Sequence, residues 1–550
     1  MDYKREYQKW IENITEPDLL GELREMDEAA AEDAFYRNLA FGTGGLRGTI
    51  GAGTNRMNVR VVAKASQGLS DYLGQGSVVI GYDSRIKSDE FARVAAGVFA
   101  ANGLHVYIWR ELLPVPTVSY AVRALGASAG VMITASHNPA KYNGYKVYGP
   151  DGCQITTEAA AKILREIEKL DVFADVNTSS FEDGLASGKI EYISDSVYSA
   201  YIDEVKSQSV LYGDETDRDV AIVYTPLNGT GLRPVTDILN KTGYTNITVV
   251  EEQRKPDGNF PTCPYPNPEI REAMTIGLDY CARVGADLLL ATDPDADRCG
   301  IAVKTDGGYQ LLSGNEVGLL MLDFVCSQRI RHNAMPSNPV FIKTIVTMDL
   351  AEKIASRYGV ETINVLTGFK FIGEVIGRLE AQGREHDYIC GFEESYGYLT
   401  GSYVRDKDAV NAAFIICEMF AYYKTRGISL PEKLAELYAE YGYCLNTLHS
   451  FEFPGSAGME KMQSIMNRFR GGIDKIAGQK IVKTLDYSKG LDGLPASDVL
   501  KYYTETGSVV VRPSGTEPKL KTYISVTAEN EEKARAVENE IKFALTEFIK

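Results

Sequence analysis

The chain has 550 residues, 44% of them hydrophobic and 24% charged, and a formal net charge of −17. At ~100–200 residues per domain, this length predicts three to five globular domains. The negative field excludes nucleic acid and anionic membrane surfaces as partners, and any anion site has to be built locally from Lys, Arg and backbone N–H groups.

No stretch reaches the ~18 consecutive apolar residues of a membrane span. The start, Met1-Asp2-Tyr3-Lys4-Arg5-Glu6, carries charge where a signal peptide needs an apolar core. Eight cysteines without a Cys-x-x-Cys pair fit reduced thiols in a cytoplasmic protein.

Residues 1–40 read as helices, with Trp10-Ile11 and Leu19-Leu20-x-x-Leu23 at near-helical spacing. Phe41-Gly42-Thr43-Gly44-Gly45-Leu46-Arg47-Gly48-Thr49 follows. Its glycines allow close backbone approach to a ligand, and the Arg47 guanidinium suits phosphate oxygens. The run Val78–Arg85 is a buried strand ending in a polar turn. A helix from Ser88 to Ala100, a strand at His105–Ile108 and a helix at Thr117–Leu125 come next. Such alternation implies a layered α/β domain.

Gly130-Val131-Met132-Ile133 is then a buried strand, Thr134-Ala135-Ser136-His137-Asn138-Pro139 a tip, and Lys141–Val147 the returning strand. We read Ser136 as a serine that carries a phosphoryl group. A hydroxyl needs a neighbour that takes its proton or a cation that draws off charge, and His137 and Lys146 lie close by.

A charged run near residue 205 marks a boundary, and the strand Val220–Tyr224 opens a second α/β unit. The turn Pro226–Gly231 is assigned no chemistry. Asp287–Val303 holds Asp293, Asp295 and Asp297 between two apolar strands. Three carboxylates on one short tip repel one another unless a cation sits among them, and all-oxygen ligands favour Mg²⁺, Mn²⁺ or Ca²⁺ over zinc. An EF-hand is excluded, because its glycine would fall on Arg298 and its final glutamate on Lys304.

A third unit starts near 312. It contains the strand Val340–Ile345, the cationic loop Thr367-Gly368-Phe369-Lys370, and a polar tip at Glu393-Glu394-Ser395 suited to sugar hydroxyls. A last unit starts near 446. Its loop Arg512-Pro513-Ser514-Gly515-Thr516-Glu517-Pro518-Lys519 reads as a phosphate cradle, and a helix from Asn530 to Ile549 closes the chain. Gly130–Val147, Asp287–Val303 and Tyr388–Leu399 share one plan, an apolar run, a polar tip and a glycine-containing return. They predict three related α/β domains offering one hairpin each to a common cleft.

Four motifs, Thr134–Pro139, Asp293–Arg298, Gly391–Ser395 and Arg512–Pro518, stand in an order that resembles the α-D-phosphohexomutase family of phosphoglucomutases and phosphomannomutases. The resemblance runs from about residue 40 to the end. It implies an α/β fold of three similar mixed domains plus a smaller C-terminal α+β domain around a cleft. The boundaries read as 1–205, 206–312, 313–445 and 446–550.

The resemblance further implies that Ser136 is the phosphoserine. Asp293, Asp295 and Asp297 would hold one Mg²⁺ per chain together with Ser136. Arg298 would lie beside the metal, and Glu393 and Ser395 would bind sugar. Arg512, Ser514, Gly515, Thr516 and Lys519 would hold the unreactive phosphate. Arg47 and Lys146 match positions of proton transfer and charge stabilisation, and His137, Thr367, Gly368 and Lys370 are assigned to the same site. Lys146, with its pKa lowered by cations such as Arg47, is the expected base.

The implied reaction interconverts glucose 1-phosphate and glucose 6-phosphate through glucose 1,6-bisphosphate. A hinge before residue 446 would close the last unit. Tyr396-Gly397-Tyr398 stands where some members have a histidine, which favours the subgroup of long phosphoglucomutases and phosphopentomutases. The alternatives are phosphopentomutase or phosphomannomutase and, remotely, an aspartyl-phosphate phosphatase. The expected partner is a small-molecule sugar phosphate, with no nucleic acid and no membrane, for a cytoplasmic monomer or homodimer.

Overall fold

The computed structural model describes residues 2–42, 44–453, 456–513 and 519–550. The chain folds into two compact units. One is the chain through Leu312 with Ile372–Tyr388 and Tyr396–Ala421, and the other is Ser313–Phe371, Ile389–Ser395 and Tyr422–Lys550.

The first unit opens with the helices Tyr3–Asn13, Pro17–Glu25 and Glu28–Phe35, whose N-termini are capped by Asp2 in the first and Asp27 in the third. Trp10, Leu19, Leu23 and Phe35 enter the same core as Val78, Ile80, Val131 and Ile133. Among the described residues, the first sheet consists of β1 (Phe41–Gly42), β2 (Gly45–Thr49), β3 (Ser77–Tyr82), β4 (His105–Ile108), β5 (Ala129–Ile133), β6 (Tyr142–Tyr148) and β7 (Ile190–Tyr192), in the order β1-β2-β6-β5-β3-β4-β7. β5, β3, β4 and β7 are parallel, as strands joined through the helices Ser88–Ala101 and Val115–Ala124 must be. β6 returns antiparallel to β5, and β2 adds antiparallel to β6. The Gly-rich stretch is thus strand rather than loop from Gly45 onward. The close fit needs Gly144, where a Cβ would lie 2.5 Å from the Thr134 carbonyl oxygen and 2.8 Å from that of Leu46.

The second sheet of this unit contains β8 (Ile222–Thr225), β9 (Ile247–Val249), β10 (Leu288–Thr292), β11 (Cys299–Thr305) and β12 (Gly308–Leu312), ordered β12-β11-β10-β8-β9. β8, β9 and β10 are parallel, and β11 returns antiparallel to β10. Both polar tips therefore leave the carboxyl end of a buried parallel strand, where ligand sites of open α/β sheets gather.

In the second unit β13 (Val340–Thr344) and β14 (Glu361–Val365) are parallel, and β15 (Tyr388–Glu393) lies beside β13. A capping box between Ser313 and Glu316 starts the buried helix Gly314–Arg331. The return strand β16 (Gly397–Thr400) belongs to the first unit. The closing sheet is β17 (Tyr443–Glu452), β18 (Lys475–Ile476), β19 (Gln479–Asp486), β20 (Leu500–Thr504), β21 (Gly507–Pro513) and β22 (Lys519–Ala528), ordered β17-β22-β21-β20-β19-β18. The final helix, Glu531–Ile549, starts at the Asn530 cap and buries Ile541 and Leu545 against Val509, Val511 and Ile524.

A second apolar patch joins Ile345, Val346 and Leu366 to Tyr487, Val499 and Val510. Beside it Lys501 Nζ contacts Asp349 Oδ1 at 2.7 Å, and Ser508 Oγ donates to Asp349 Oδ2 at 2.7 Å. None of the eight cysteines is in a disulfide. Among the described residues no helix is long and apolar enough to cross a membrane.

Candidate phosphoryl-transfer and cation site

Two tips of the first unit meet. Ser136 Oγ donates to Asp293 Oδ2 at 2.7 Å, and Thr134 Oγ1 donates to Asp295 Oδ2 at 3.1 Å. Ser136 has φ 52° and Ala296 φ 47°, conformations disfavoured for residues with a Cβ. Tyr396, at the third polar tip, has φ 65°. Asp293, Asp295 and Asp297 are 0%, 0% and 1% exposed, and one oxygen from each lies within 4.8 Å of the others.

Lys146, on β6, reaches Asp295 Oδ2 at 2.9 Å and Asp297 Oδ2 at 3.3 Å. Lys407, in the charged turn after β16, contacts Asp297 Oδ2 at 3.0 Å and Asp406 Oδ1 at 3.3 Å. Tyr148 Oη in turn donates to Asp406 Oδ2 at 2.9 Å.

The donor set fits a divalent cation. All candidate ligand atoms are oxygens, and the buried Asp295 Oδ1 and Asp297 Oδ1 accept no hydrogen bond. Asp293 Oδ1 is already taken by the backbone N–H groups of Asp297 and Arg298, at 3.1 and 2.9 Å. Buried acceptors without donors are costly unless a cation meets them.

Burial raises the Asp293 pKa far above the carboxylate range, and the charges of Asp295 and Asp297 add to that rise. Burial and the Asp297 charge act the same way on Asp295, but Lys146 and a hydrogen bond with Asp293 outweigh them. For Asp297, Lys407, Lys146 and Arg298 together do so, and both groups end below their ordinary value. Burial lowers His137 well below the usual imidazole range, helped by Arg298 and Arg47, so the ring is neutral. Its Nδ1 stands 3.4 Å from Ser136 Oγ.

Lys146 departs from expectation. Burial alone would lower its pKa, but the carboxylates of Asp295 and Asp297 raise it above the ordinary lysine value. The expected lowering by Arg47 loses to these two direct contacts. Arg47 Nη1 instead donates to Asn138 Oδ1 at 3.3 Å, because the β2–β6 register sets Arg47 opposite Gly144. The Arg298 guanidinium is engaged by Glu269 and lies 4.0 Å from Asp297 Oδ1.

The other sequence-derived residues belong to the second unit. Gly368 N–H donates to Glu393 Oε1 at 2.9 Å, and Thr367 is next to it in sequence. Lys370 lies in the first turn of the helix Phe369–Ala381 rather than in a loop. Phe369, Ile372, Val375, Ile376 and Leu379 supply that helix with a buried apolar face. Ser395 is half-buried. Arg512 ends β21 and Lys519 starts β22, where Lys519 contacts Glu452 Oε1 at 3.2 Å. Ser514, Gly515 and Thr516 lie outside the described residues.

Sequence reasoning missed Lys407. Its signal was the charged run Arg405-Asp406-Lys407-Asp408, which is 0–9% exposed. It also assigned nothing to the turn Pro226–Gly231, which braces the aspartate tip. Thr230 N–H and Oγ1 donate to the Pro294 carbonyl at 2.8 and 3.0 Å. A Cβ on Gly229 would meet Pro294 Cα at 2.4 Å.

An α/β fold with an oxygen-lined cation site against a serine hydroxyl defines a phosphoryl-transfer enzyme of the phosphohexomutase class. The phosphoglucomutase/phosphomannomutase alpha/beta/alpha domains I, II and III match residues 38–172, 199–308 and 313–441, and the family's C-terminal domain matches 472–542. The chain belongs to this family.

It is 37% identical over 540 residues to the phosphoglucomutase of Staphylococcus saprophyticus, covering 95% of this chain and 96% of that one. Its fold is similar to that of pp63/parafusin, a phosphoglucomutase from Paramecium in its open form. The TM-score is 0.71 at 18% identity, over 93% of this chain and 95% of that one. Aspergillus fumigatus N-acetylphosphoglucosamine mutase, solved with GlcNAc-6P and magnesium, gives 0.52 at 14% identity, over 94% and 97%.

Proposed function

We propose that the protein is a phosphoglucomutase that interconverts glucose 1-phosphate and glucose 6-phosphate, with Ser136 as its phosphoryl carrier. The observation that carries this reading is the contact of Ser136 Oγ with Asp293 Oδ2, which sets a serine hydroxyl against the cation site. Its relatives at this identity are phosphoglucomutases.

In the forward half-reaction the bond from phosphorus to Ser136 Oγ breaks and one to the sugar 6-oxygen forms. The hydroxyl proton ends on Ser136 Oγ, the protonation state in which Oγ donates to Asp293. His137, neutral and 3.4 Å from Oγ, orients that hydroxyl. Lys146, held charged by its carboxylate partners, and Lys407, paired with Asp297, offset the phosphoryl oxygens, since transfer of this kind rests on positioning and charge neutralisation. Ser136, Asp293, Asp295 and Asp297 would hold one Mg²⁺ per chain, which would supply Lewis-acid stabilisation of the charge on the serine oxygen. The second half-reaction returns the 1-phosphate of glucose 1,6-bisphosphate to Ser136. Arg47 and Arg298 complete the positive wall. Glu393, Ser395, Thr367, Gly368 and Lys370 bind the sugar. Arg512, Ser514, Gly515, Thr516 and Lys519 bind the distal phosphate.

We propose the domain limits 1–205, 206–312, 313–445 and 446–550. The protein is read as cytoplasmic and as a monomer or homodimer.

Intact-mass analysis of wild type and Ser136→Ala tests this reading, with kcat/KM on glucose, mannose and ribose 1-phosphates. The expected result is one phosphoryl mass in wild type only, a loss of about 10³-fold or more in the alanine variant, and preference for glucose. Full activity in Ser136→Ala would refute it.

A further inference from the structure

Arg85 takes no part in the reaction just described, yet it is 3% exposed and its guanidinium faces the backbone of the Ser136 tip. Nη1 donates to the carbonyls of Pro139 and Tyr142, each at 3.0 Å. Nη2 donates to the carbonyls of Ser136 and Asn138. Four carbonyls of a single seven-residue turn thus converge on one planar donor fork. The Pro139 carbonyl also accepts from the Tyr142 N–H at 3.0 Å, so the fork adds to the turn's own hydrogen bonding.

The fork is itself fixed. Nε lies 3.3 Å from Asp83 Oδ2, and both side chains are fully buried. Asp83 Oδ1 accepts from Arg85 N–H at 2.9 Å and from Ser88 Oγ at 2.7 Å. The Phe260 ring covers the guanidinium, its centroid 5.1 Å from Cζ. The backbone of Gly258 closes against the backbone of Ser84, Arg85 and Ile86, since a Cβ there would sit 2.4 Å from Ile86 N.

Ser136 is held at φ 52°, a backbone state that costs about 1 kcal/mol or more for a residue with a Cβ. The carbonyl of that same residue is one of the four that Arg85 grips. A turn that relaxed to ordinary φ would swing this carbonyl away, and Oγ would leave Asp293.

We propose that Arg85 is the positioning residue of the phosphoryl carrier, holding the 136–142 turn in the strained form that aims Ser136 Oγ at the cation site. This rests on Ser136 being the carrier. Arg85 hydrogen-bonds neither Ser136 Oγ nor any of the three aspartates, and its charge, which Asp295, Asp293 and His137 feel, survives replacement by lysine, so that variant isolates the geometric effect. Lysine keeps the charge but has one nitrogen where arginine presents two to four carbonyls, and cannot reproduce the fork.

The test is single-turnover phosphorylation of dephosphorylated full-length enzyme by glucose 1,6-bisphosphate, followed by intact mass, for wild type, Arg85→Lys and Phe260→Leu. Steady-state kcat and KM for glucose 1-phosphate and thermal melting accompany it. Arg85→Lys is expected to lower the phosphorylation rate and kcat about 100-fold, the loss typical of an ångström-scale misplacement, with KM within about 2-fold. Phe260→Leu, which strips the ring while keeping an apolar filling, is expected to lower the same rate several-fold with wild-type KM. It serves as the readout if Arg85→Lys does not fold.

A wild-type rate in folded Arg85→Lys overturns the proposal, because charge alone would then suffice. So does a KM rise at constant kcat, which would make Arg85 a substrate contact, or an unchanged rate in Phe260→Leu where that variant is the only one folded. Absence of phosphate on wild-type Ser136 would instead sink the carrier reading, which separates the two failures.

Discussion

Lys146 Nζ lies 2.9 Å from Asp295 Oδ2 although 149 residues separate the two in the chain. The contact joins β6 to the tip after β10, so the ammonium of one sheet neutralises a carboxylate of the other. It also sets the sign of several measurable effects, because the three aspartates do not share the available positive charge equally.

Asp293 and Asp297 should respond oppositely to amidation. Burial and two neighbouring carboxylates disfavour the Asp293 charge, so Asp293→Asn is expected to stabilise the cation-stripped protein by on the order of 1 kcal/mol. Asp297 is the partner of Lys407, Lys146 and Arg298, and Asp297→Asn should cost about 3 kcal/mol. Both variants should lose activity and the stabilisation that wild type gains from Mg²⁺, about 2.7 kcal/mol at a hundredfold excess over Kd. Urea unfolding with EDTA and with Mg²⁺ reads the stability changes and steady-state kinetics the activity, and destabilisation by both variants in EDTA would contradict the charge assignment.

Lys407→Met should lower kcat about 100-fold, as expected for removing one preorganised charge from a phosphoryl-transfer site. It leaves Asp297 with Lys146 and Arg298 and leaves Asp406 to Tyr148 and Gln154. Steady-state kinetics of the purified variant check this. Unaltered kcat would remove Lys407 from the site.

Asp349 holds two buried lysines, Lys343 at 3.3 Å and Lys501 at 2.7 Å. Burial opposes its charge, but the two ammonium groups prevail and hold the carboxyl below its ordinary range. Stability from a depressed carboxyl is present above the unfolded-state value and lost as pH falls through the folded one. Asp349→Ala should therefore cost about 3 kcal/mol at neutral pH, by leaving Lys501 uncompensated and Lys343 with Glu352 alone at 3.1 Å. Its unfolding curve should converge on wild type in strong acid. The expected hinge before residue 446 would also have to move over this cluster and its apolar patch.

Glu418 gives the opposite pH dependence. Its carboxyl is pushed up to about 7 by burial, against the donors Ser209 Oγ at 2.5 Å and Val210 N–H at 3.2 Å. A raised acid stabilises fully below its unfolded value, near 4.5, and that contribution is lost as pH rises to about 7. Glu418→Gln mimics the protonated form. It should match wild type near pH 5 and exceed it by about 3 kcal/mol at pH 8, read from thermal melts across that range.

The sequence by itself determined the elements and the chemistry of their tips. Apolar runs of four to six residues ending in Gly, Pro or acid punctuation are local signals, and they located β4 at His105–Ile108 and both sides of the aspartate tip. The family could be recognised because its four motifs are short and contiguous. Only the tertiary structure decided which tips meet and what charge state each group takes. Ser136 reaches Asp293, and Arg85 reaches the Ser136 turn, through strand order and not through spacing along the chain. Lys407 was hidden for the same reason, since a charged turn looks solvated until the fold buries it. Lys146 was misjudged as a lowered base because a pKa answers to the nearest opposite charges in space, and those carboxylates came from a distant hairpin.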